Sequence, residues 1–381
     1  MHIDPFHMER YQSLYENEVD YNLSESGVTP LRVEELLDGQ AARDALLHAK
    51  LGYPWSNGSP KLRANIAKFY PGARAENVTV TNGGSEAIYT IFTALLDKSK
   101  GDRAAIQIPN YMQAWGLGRF FGAASDTFAL RHDGKRWALD VDGLNRAVTK
   151  KTKLVLVTNP NNPTGSVLTG EEMDAVVGTA KRANAWLVVD EIYRGVELRA
   201  KRTSPTFWGR YDKLLITSGL SKAFGMPGAR IGWVVGPAKT VEMLWSYRDY
   251  TTLTPSALGE HLATIAMEPK RREWILARTK DIVRRQWPGL EGWLNANDDI
   301  LFCTPPDAGA IALVGYRLPI TPGKLFERLR VERSVLVNGA DHYGMSAGSK
   351  YFRVGFGYDP EVLEKGLGRI GKLLRQVQKG G

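Results

Sequence analysis

The chain has 381 residues, 43% hydrophobic, 24% charged and 10% aromatic, enough for two or three structural units at about 150 residues each. A peptide hormone, a small disulfide scaffold and wholesale disorder are excluded. Lys and Arg outnumber Asp and Glu by 50 to 41, a formal charge of +9, which opens nucleic acid, an anionic membrane or acidic small molecules as partners. One cysteine, Cys303, rules out an internal disulfide and a thiolate metal cluster. It sits in the apolar run 300–303 and is expected to be a buried strand residue.

In chain order, Ser59-Pro60 predicts a helix through Leu62 to Phe69, with serine as cap and proline in the first turn. Strands are predicted at 77–81, 104–108, 154–158, 186–190, 214–218 and 231–235, most of them apolar at successive positions and so buried on both faces. Between them lie helical patterns at 86–96, 144–148 and 171–183, the last opened by the capping box Thr169-Gly170-Glu171-Glu172. Such alternation implies an α/β fold with a mostly parallel sheet and right-handed crossovers. After Glu268 a long charged helix runs through Arg278 and Arg285 to Trp293. Apolar runs at 300–304, 310–316, 335–338 and 352–356, with helices from Pro322 and Glu361, read as a smaller α+β domain. The basic residues are dispersed, and the closing series Arg369, Lys372, Arg375, Lys379 has the spacing of a solvated helix face. The first residues lack a basic segment followed by an apolar one, and no apolar run approaches the roughly 20 residues of a membrane span. The expected location is the cytoplasm.

Four motifs fall at strand ends, where open α/β sheets bind ligands. Thr81-Asn82-Gly83-Gly84-Ser85-Glu86 joins a strand to a helix, and its glycines and helix N-terminus suit a phosphate. Asn159-Pro160-Asn161-Asn162-Pro163-Thr164-Gly165 is a doubled prolyl turn. Asp190-Glu191-Ile192-Tyr193 ends a buried strand, so the Asp190 carboxylate needs a cation such as a protonated ring nitrogen. Tyr193 is near enough to hydrogen-bond a phenolate-like oxygen. Ser221-Lys222 follows a fourth strand, and Arg230 returns eight residues later. A lysine for covalent chemistry and an arginine fork for an anion make a coherent pair.

Together these motifs resemble the fold type I pyridoxal-phosphate-dependent enzymes, specifically the class I/II aminotransferases, over nearly the whole chain. The resemblance implies a large domain with a mostly parallel seven-stranded sheet sandwiched by helices, plus a smaller α+β domain. Its boundaries would be an N-terminal arm and active-site cover at 1–45, a cofactor domain at 46–268 and a small domain at 269–381. By the same resemblance Lys222 forms a Schiff base with pyridoxal 5'-phosphate and then shuttles a proton, while Asp190 partners the ring nitrogen. Asn162 and Tyr193 hold the phenolic oxygen. Arg230, Gly84, Ser85 and Ser221 hold the phosphate, and Trp115 stacks on the ring. Tyr53 reaches the phosphate of a neighbouring subunit, so a homodimer is implied. Arg353 clamps the substrate α-carboxylate, with Asn162 beside it and the Gly27 backbone approaching. One departure stands at Gly219, three before the lysine, where the family often has a phosphate-binding Ser or Thr; Ser218 or Ser221 is the expected substitute.

The expected activity is amino transfer from an L-amino acid to a 2-oxo acid. The segments 81–89, 219–234 and 248–253 resemble capreomycidine synthase, so a cyclase or elimination enzyme of natural-product biosynthesis is the alternative. Against it, Thr29 stands where that enzyme has a histidine, and Tyr193 is an aminotransferase feature that it lacks. A cofactor-binding regulator is disfavoured, because only about 50 residues precede Tyr53. Glu9 and Glu25 are candidate readers of a cationic substrate side chain and Arg248 of an anionic one, each alternatively a surface charge or structural ion pair. His2 and His7 are read as ordinary terminal residues.

Overall fold

The structure, a computed structural model, describes residues 3–380. Its strands are β1 (Tyr21–Asn22), β2 (Val78–Thr81), β3 (Arg103–Ile108), β4 (Ala124–His132), β5 (Trp137–Leu139), β6 (Thr152–Thr158), β7 (Trp186–Asp190), β8 (Leu214–Gly219), β9 (Gly232–Val235), β10 (Leu301–Cys303), β11 (Ile311–Tyr316), β12 (Val335–Leu336), β13 (Asn338–Gly339) and β14 (Tyr351–Gly355). The large sheet has the order β2-β9-β8-β7-β6-β3-β4-β5. Strands β8, β7, β6, β3 and β4 run parallel, and β2, β9 and β5 pair antiparallel at the flanks.

The continuous apolar runs are explained by burial of both faces. Along β6, Val155 and Val157 enter one core cluster, whereas Leu154 and Leu156 enter the other. Leu187 and Val189 of β7 likewise face away from Val188. Each such side chain contributes roughly 1.5–3 kcal/mol on burial, and the two-residue period of a strand assigns it to a layer of helices. The helix ends follow the sequence signals. Ser59 Oγ accepts from Leu62 N at 3.3 Å, and Thr169 and Glu172 exchange backbone-to-side-chain bonds of 2.8 and 3.2 Å.

The smaller sheet, β10-β11-β14-β13, is antiparallel. The long helix Pro269–Asn295 and the closing helix Pro360–Gln378 belong to this C-terminal part. The segment 335–338, expected as one strand, divides at Val337: β12 pairs with β1 of the N-terminal arm, and β13 pairs with β14. The arm is thereby fastened beside the smaller sheet.

Three differences from expectation have physical causes. The seven expected large-sheet strands are joined by an eighth, the three-residue β5, which pairs with the end of β4. Strand β4 escapes the apolar-run criterion because it lies toward the sheet edge and its first four residues are exposed or half-exposed. Cys303 is half-buried rather than buried, because β10 is an edge strand with β11 as its one partner. No helix among the described residues is long and apolar enough to cross a membrane.

Candidate active site

The C-terminal ends of β6, β7 and β8 open into a cavity of about 340 Å³ lined by Thr158, Asp190 and Lys222, among others. That volume is in the range of small-molecule sites. Register brings the strand ends together, with Thr158 opposite Asp190 across β6 and β7, and Asp190 opposite Thr217 across β7 and β8.

One end of the cavity is built for an anion. Gly83, at φ +87°, precedes the twelve-residue helix Gly84–Leu95, and Gly84 and Ser85 line the cavity at its N-terminus. A side chain on Gly83 would stand 2.5 Å from Arg230 Nη2, so glycine is what lets the guanidinium lie against the turn. Arg230 itself adopts a left-handed backbone at φ +50° and lines the cavity with Ser221. Ser218 turns away, its hydroxyl donating to Glu191 O at 3.3 Å. Gly219 has a steric reason: a Cβ there would meet Ile231 O at 2.9 Å, just before the paired strand β9. Of the two expected substitutes, the structure brings Ser221 to the cavity.

In the middle of the cavity, burial lowers the pKa of Lys222 below the usual lysine range, partly countered by Glu25 and Glu9. Burial likewise raises Asp190 to about 7, opposed by a hydrogen bond from Ile192 N. Asp190 forms no ion pair among the described residues, so a half-buried carboxylate faces the cavity. Tyr193 is pushed up to about 12 by burial, countered first by Arg353, so its hydroxyl stays protonated and able to donate. Asn162 is positioned by its own loop, where Asn161 Nδ2 donates to Pro109 O at 3.0 Å and Thr164 Oγ1 donates to Asn161 Oδ1 at 2.7 Å. Gly165 closes that loop at φ +68°, where a Cβ would strike Pro306 at 2.3 Å.

At the opposite end, Arg353 on β14 is 1% exposed and lines the cavity. Its Nη1 donates to Asn162 Oδ1 at 2.9 Å, its Nη2 donates to Ser24 O, and its Nε has no partner. Ser24 O also accepts from Asn338 Nδ2 at 3.2 Å and Gln12 Nε2 at 3.3 Å, which pins the arm over the site. Gly27 follows, and a Cβ on it would be 3.9 Å from Lys222 Cδ.

The other expected residues divide. Trp115 does not line the cavity. It lies on the helix Gln113–Phe120, half-buried beside the apolar cluster, with the Arg119 guanidinium 4.6 Å from its ring. Tyr111 lines the cavity instead, its hydroxyl donating to Glu9 Oε1 at 2.8 Å. Tyr53 is 88% exposed and lies in a separate groove with Pro54, Thr254 and Leu258. Arg248 is buried away from the cavity, donating to Glu86 Oε2 at 3.3 Å and to Ser56 O, so of its two readings the structural ion pair holds. Thr29 bonds Gly357 O through its backbone at 2.8 Å, outside the cavity. Glu9 and Glu25 both line the cavity, together with Glu16, which the motifs did not indicate. Its signal was periodicity, since Glu9 and Glu16 stand seven apart, two turns along one helix face. His7 is exposed at the start of the arm helix, and His2 lies outside the described residues.

A profile for aminotransferase class I and II matches residues 22–370. The chain belongs to this family. It is 29% identical to the aspartate/prephenate aminotransferase of Thermus thermophilus, covering 91% of this chain and 88% of that one. It is 30% identical to the capreomycidine synthase of Streptomyces vinaceus over 85% and 81% of the two chains. The structure of a PLP-dependent aminotransferase from Streptococcus suis superposes with a TM-score of 0.91 at 26% identity, covering 99% of both chains. The fold is that of the fold type I enzymes, and pyridoxal phosphate is the cofactor. The residues present fit it: the uncompensated Asp190 carboxylate suits a pyridinium nitrogen, the Gly83 turn and Arg230 suit a phosphate, and Lys222 offers an amine.

Proposed function

We propose that this aminotransferase moves the amino group of an L-α-amino acid to a 2-oxo acid, with Lys222, Asp190, Tyr193, Asn162, Arg230 and Arg353 as its working residues. The observation that carries this reading is the placement of Lys222 and the Arg353–Asn162 pair in one cavity, because an α-amino acid presents its reacting carbon next to its carboxylate. When bound, pyridoxal phosphate supplies the carbonyl that takes the amine and the ring that withdraws electrons from the α-carbon.

The chain's own residues do the rest. Lys222, its charged form disfavoured by burial, holds the cofactor and then carries the proton at the substrate α-carbon. Asp190 keeps the ring nitrogen protonated, and Tyr193 and Asn162 hold the phenolic oxygen. Arg230, Ser85, Ser221 and the N–H groups at Gly84 and Ser85 hold the phosphate. Arg353 binds the α-carboxylate through its planar fork, while the arm from Ser24 to Gly27 covers the site. Tyr111, which lines the cavity where Trp115 does not, would hold the ring by packing against it.

The same proposal extends to assembly. Tyr53 and Tyr250 are 88% and 92% exposed, and Leu51, Trp55 and Leu253 are exposed too. So much exposed apolar surface suits an interface with a second copy, in which Tyr53 reaches the neighbour's phosphate. The three-part division at 45 and 268, and a cytoplasmic location suggested by a single cysteine, belong to this reading.

The test is transfer of nitrogen-15 from a labelled amino acid to an added 2-oxo acid, followed by mass spectrometry. Label appearing on the acceptor is expected. Label released as ammonia, or retained in a cyclic product, overturns amino transfer in favour of elimination or cyclisation, the second reading that the resemblance to capreomycidine synthase keeps open.

A further inference from the structure

The charges lining the cavity do not balance once the proposed ligands are placed. Its cations are Lys222, Arg230 and Arg353, and its carboxylates are Glu9, Glu16, Glu25 and Asp190. On the aminotransferase reading each cation is taken: Lys222 holds the cofactor, Arg230 the phosphate and Arg353 the substrate carboxylate. Asp190 is answered by the ring nitrogen. Glu9, Glu16 and Glu25 remain, and none of them forms an ion pair among the described residues.

These three carboxylates face one another as well as the cavity. Burial, and after it the fields of Glu25 and Glu9, raise the pKa of Glu16 above the usual range. Glu9 is held by the Tyr111 hydroxyl at 2.8 Å. Glu25 lies close enough to the Tyr358 hydroxyl to add to the rise that burial gives that hydroxyl's pKa. A hydroxyl partner orients a carboxylate but brings no positive charge to it. The same cavity carries an independent sign of a ligand, the 1% exposed Arg353 with its unpartnered Nε. The alternative anion reader, Arg248, is spent on Glu86 and lies elsewhere. Bringing a substrate carboxylate near three glutamates would be repulsive, whereas a cation there is attracted and neutral side chains gain nothing.

We propose that Glu9, Glu16 and Glu25 form the subsite for a cationic side chain, so that the substrate is an L-α-amino acid ending in a guanidinium or an ammonium group. This inference rests on the aminotransferase reading of the cavity. It assigns the arm a task beyond covering the site, since Glu9 and Glu16 lie on or directly after the helix His7–Tyr15 and Glu25 lies between that helix and Gly27.

The experiment titrates the cofactor-loaded enzyme with paired amino acids of matched shape, following the cofactor absorbance. L-Arginine is set against the neutral L-citrulline, and L-lysine against L-norleucine, with L-aspartate as the anionic arm. In the native enzyme one cation should bind at least tenfold more tightly than its neutral partner, and L-aspartate most weakly. In Glu16→Gln and Glu25→Gln that ratio should fall several-fold, and the variants' cofactor absorbance before titration reports that they are folded. Equal binding within both pairs, tighter binding of L-aspartate, or a ratio that neither variant changes would overturn the cation subsite. A response to L-aspartate or L-norleucine alone leaves amino transfer standing and overturns only the subsite, whereas no response to any amino acid overturns both.

Discussion

Arg353 and Asn162, 191 residues apart in the chain, are joined by a 2.9 Å hydrogen bond from Nη1 to Oδ1. One belongs to the smaller sheet and the other to the loop after β6, so the contact ties the proposed carboxylate clamp to the residue proposed to hold the cofactor oxygen. Arg353→Lys keeps the charge but loses the fork. Loss of a charged hydrogen bond costs roughly 1.5–3 kcal/mol, so kcat/KM for an L-amino acid should fall roughly ten- to hundredfold. Steady-state kinetics checks this, and an unchanged KM would show that the clamp lies elsewhere.

Asp190 makes the cofactor-free protein sensitive to pH. Its folded pKa of about 7 lies above the unfolded value near 3.9, so between these limits the folded state binds the proton more tightly. Stability is fully present below about pH 4 and is lost as pH rises through about 7, by at most about 4 kcal/mol, and less where water in the cavity reaches the carboxyl. Thermal melts of cofactor-free protein should show this decline, Asp190→Asn should lack it, and cofactor should suppress it by supplying a cation.

Tyr111 and Trp115 make opposite predictions. Tyr111 lines the cavity, so Tyr111→Ala should weaken cofactor binding by about three- to tenfold, the scale of an aromatic contact worth roughly 0.5–1.5 kcal/mol. Trp115→Ala should lower the melting temperature through lost packing and leave cofactor affinity within about twofold. Equilibrium dialysis of the cofactor against each variant separates the two effects.

The exposed groove around Tyr53 is expected to lie between two copies. Replacing Tyr53 and Tyr250 together by Glu places charge in an apolar contact and should give a monomer in sedimentation velocity, with weakened cofactor binding. A native protein already monomeric at micromolar concentration would remove the interface and the shared role of Tyr53.

The sequence was most legible where burial was most complete. Strands β6, β7 and β8 are apolar on both faces because helices cover both, and their ends located Asn162, Asp190 and Lys222. Legibility fell where one face meets water, as in β4, or where a segment serves two sheets, as at Val337. Trp115 entered through the family resemblance, yet it stands four before Arg119 on a helix and packs against that side chain. Tyr111, three residues past the end of β3, obeys the strand-end rule that found the other residues. The arm helix His7–Tyr15 carries no side-chain N-cap, so nothing local announced it, and Glu16 went unnoticed with it.

Lys222 and Arg230 both sit on the single excursion between β8 and β9, whose base is closed by the facing pair Gly219 and Gly232. A Cβ on Gly232 would lie 2.4 Å from the Gly83 carbonyl carbon, so that closure also presses the hairpin against the turn proposed to hold the phosphate. The distance from the proposed reactive amine to the proposed anion grip is therefore set by one short hairpin, whereas the carboxylates proposed to read the substrate side chain belong to a separate length of chain that ends at Gly27.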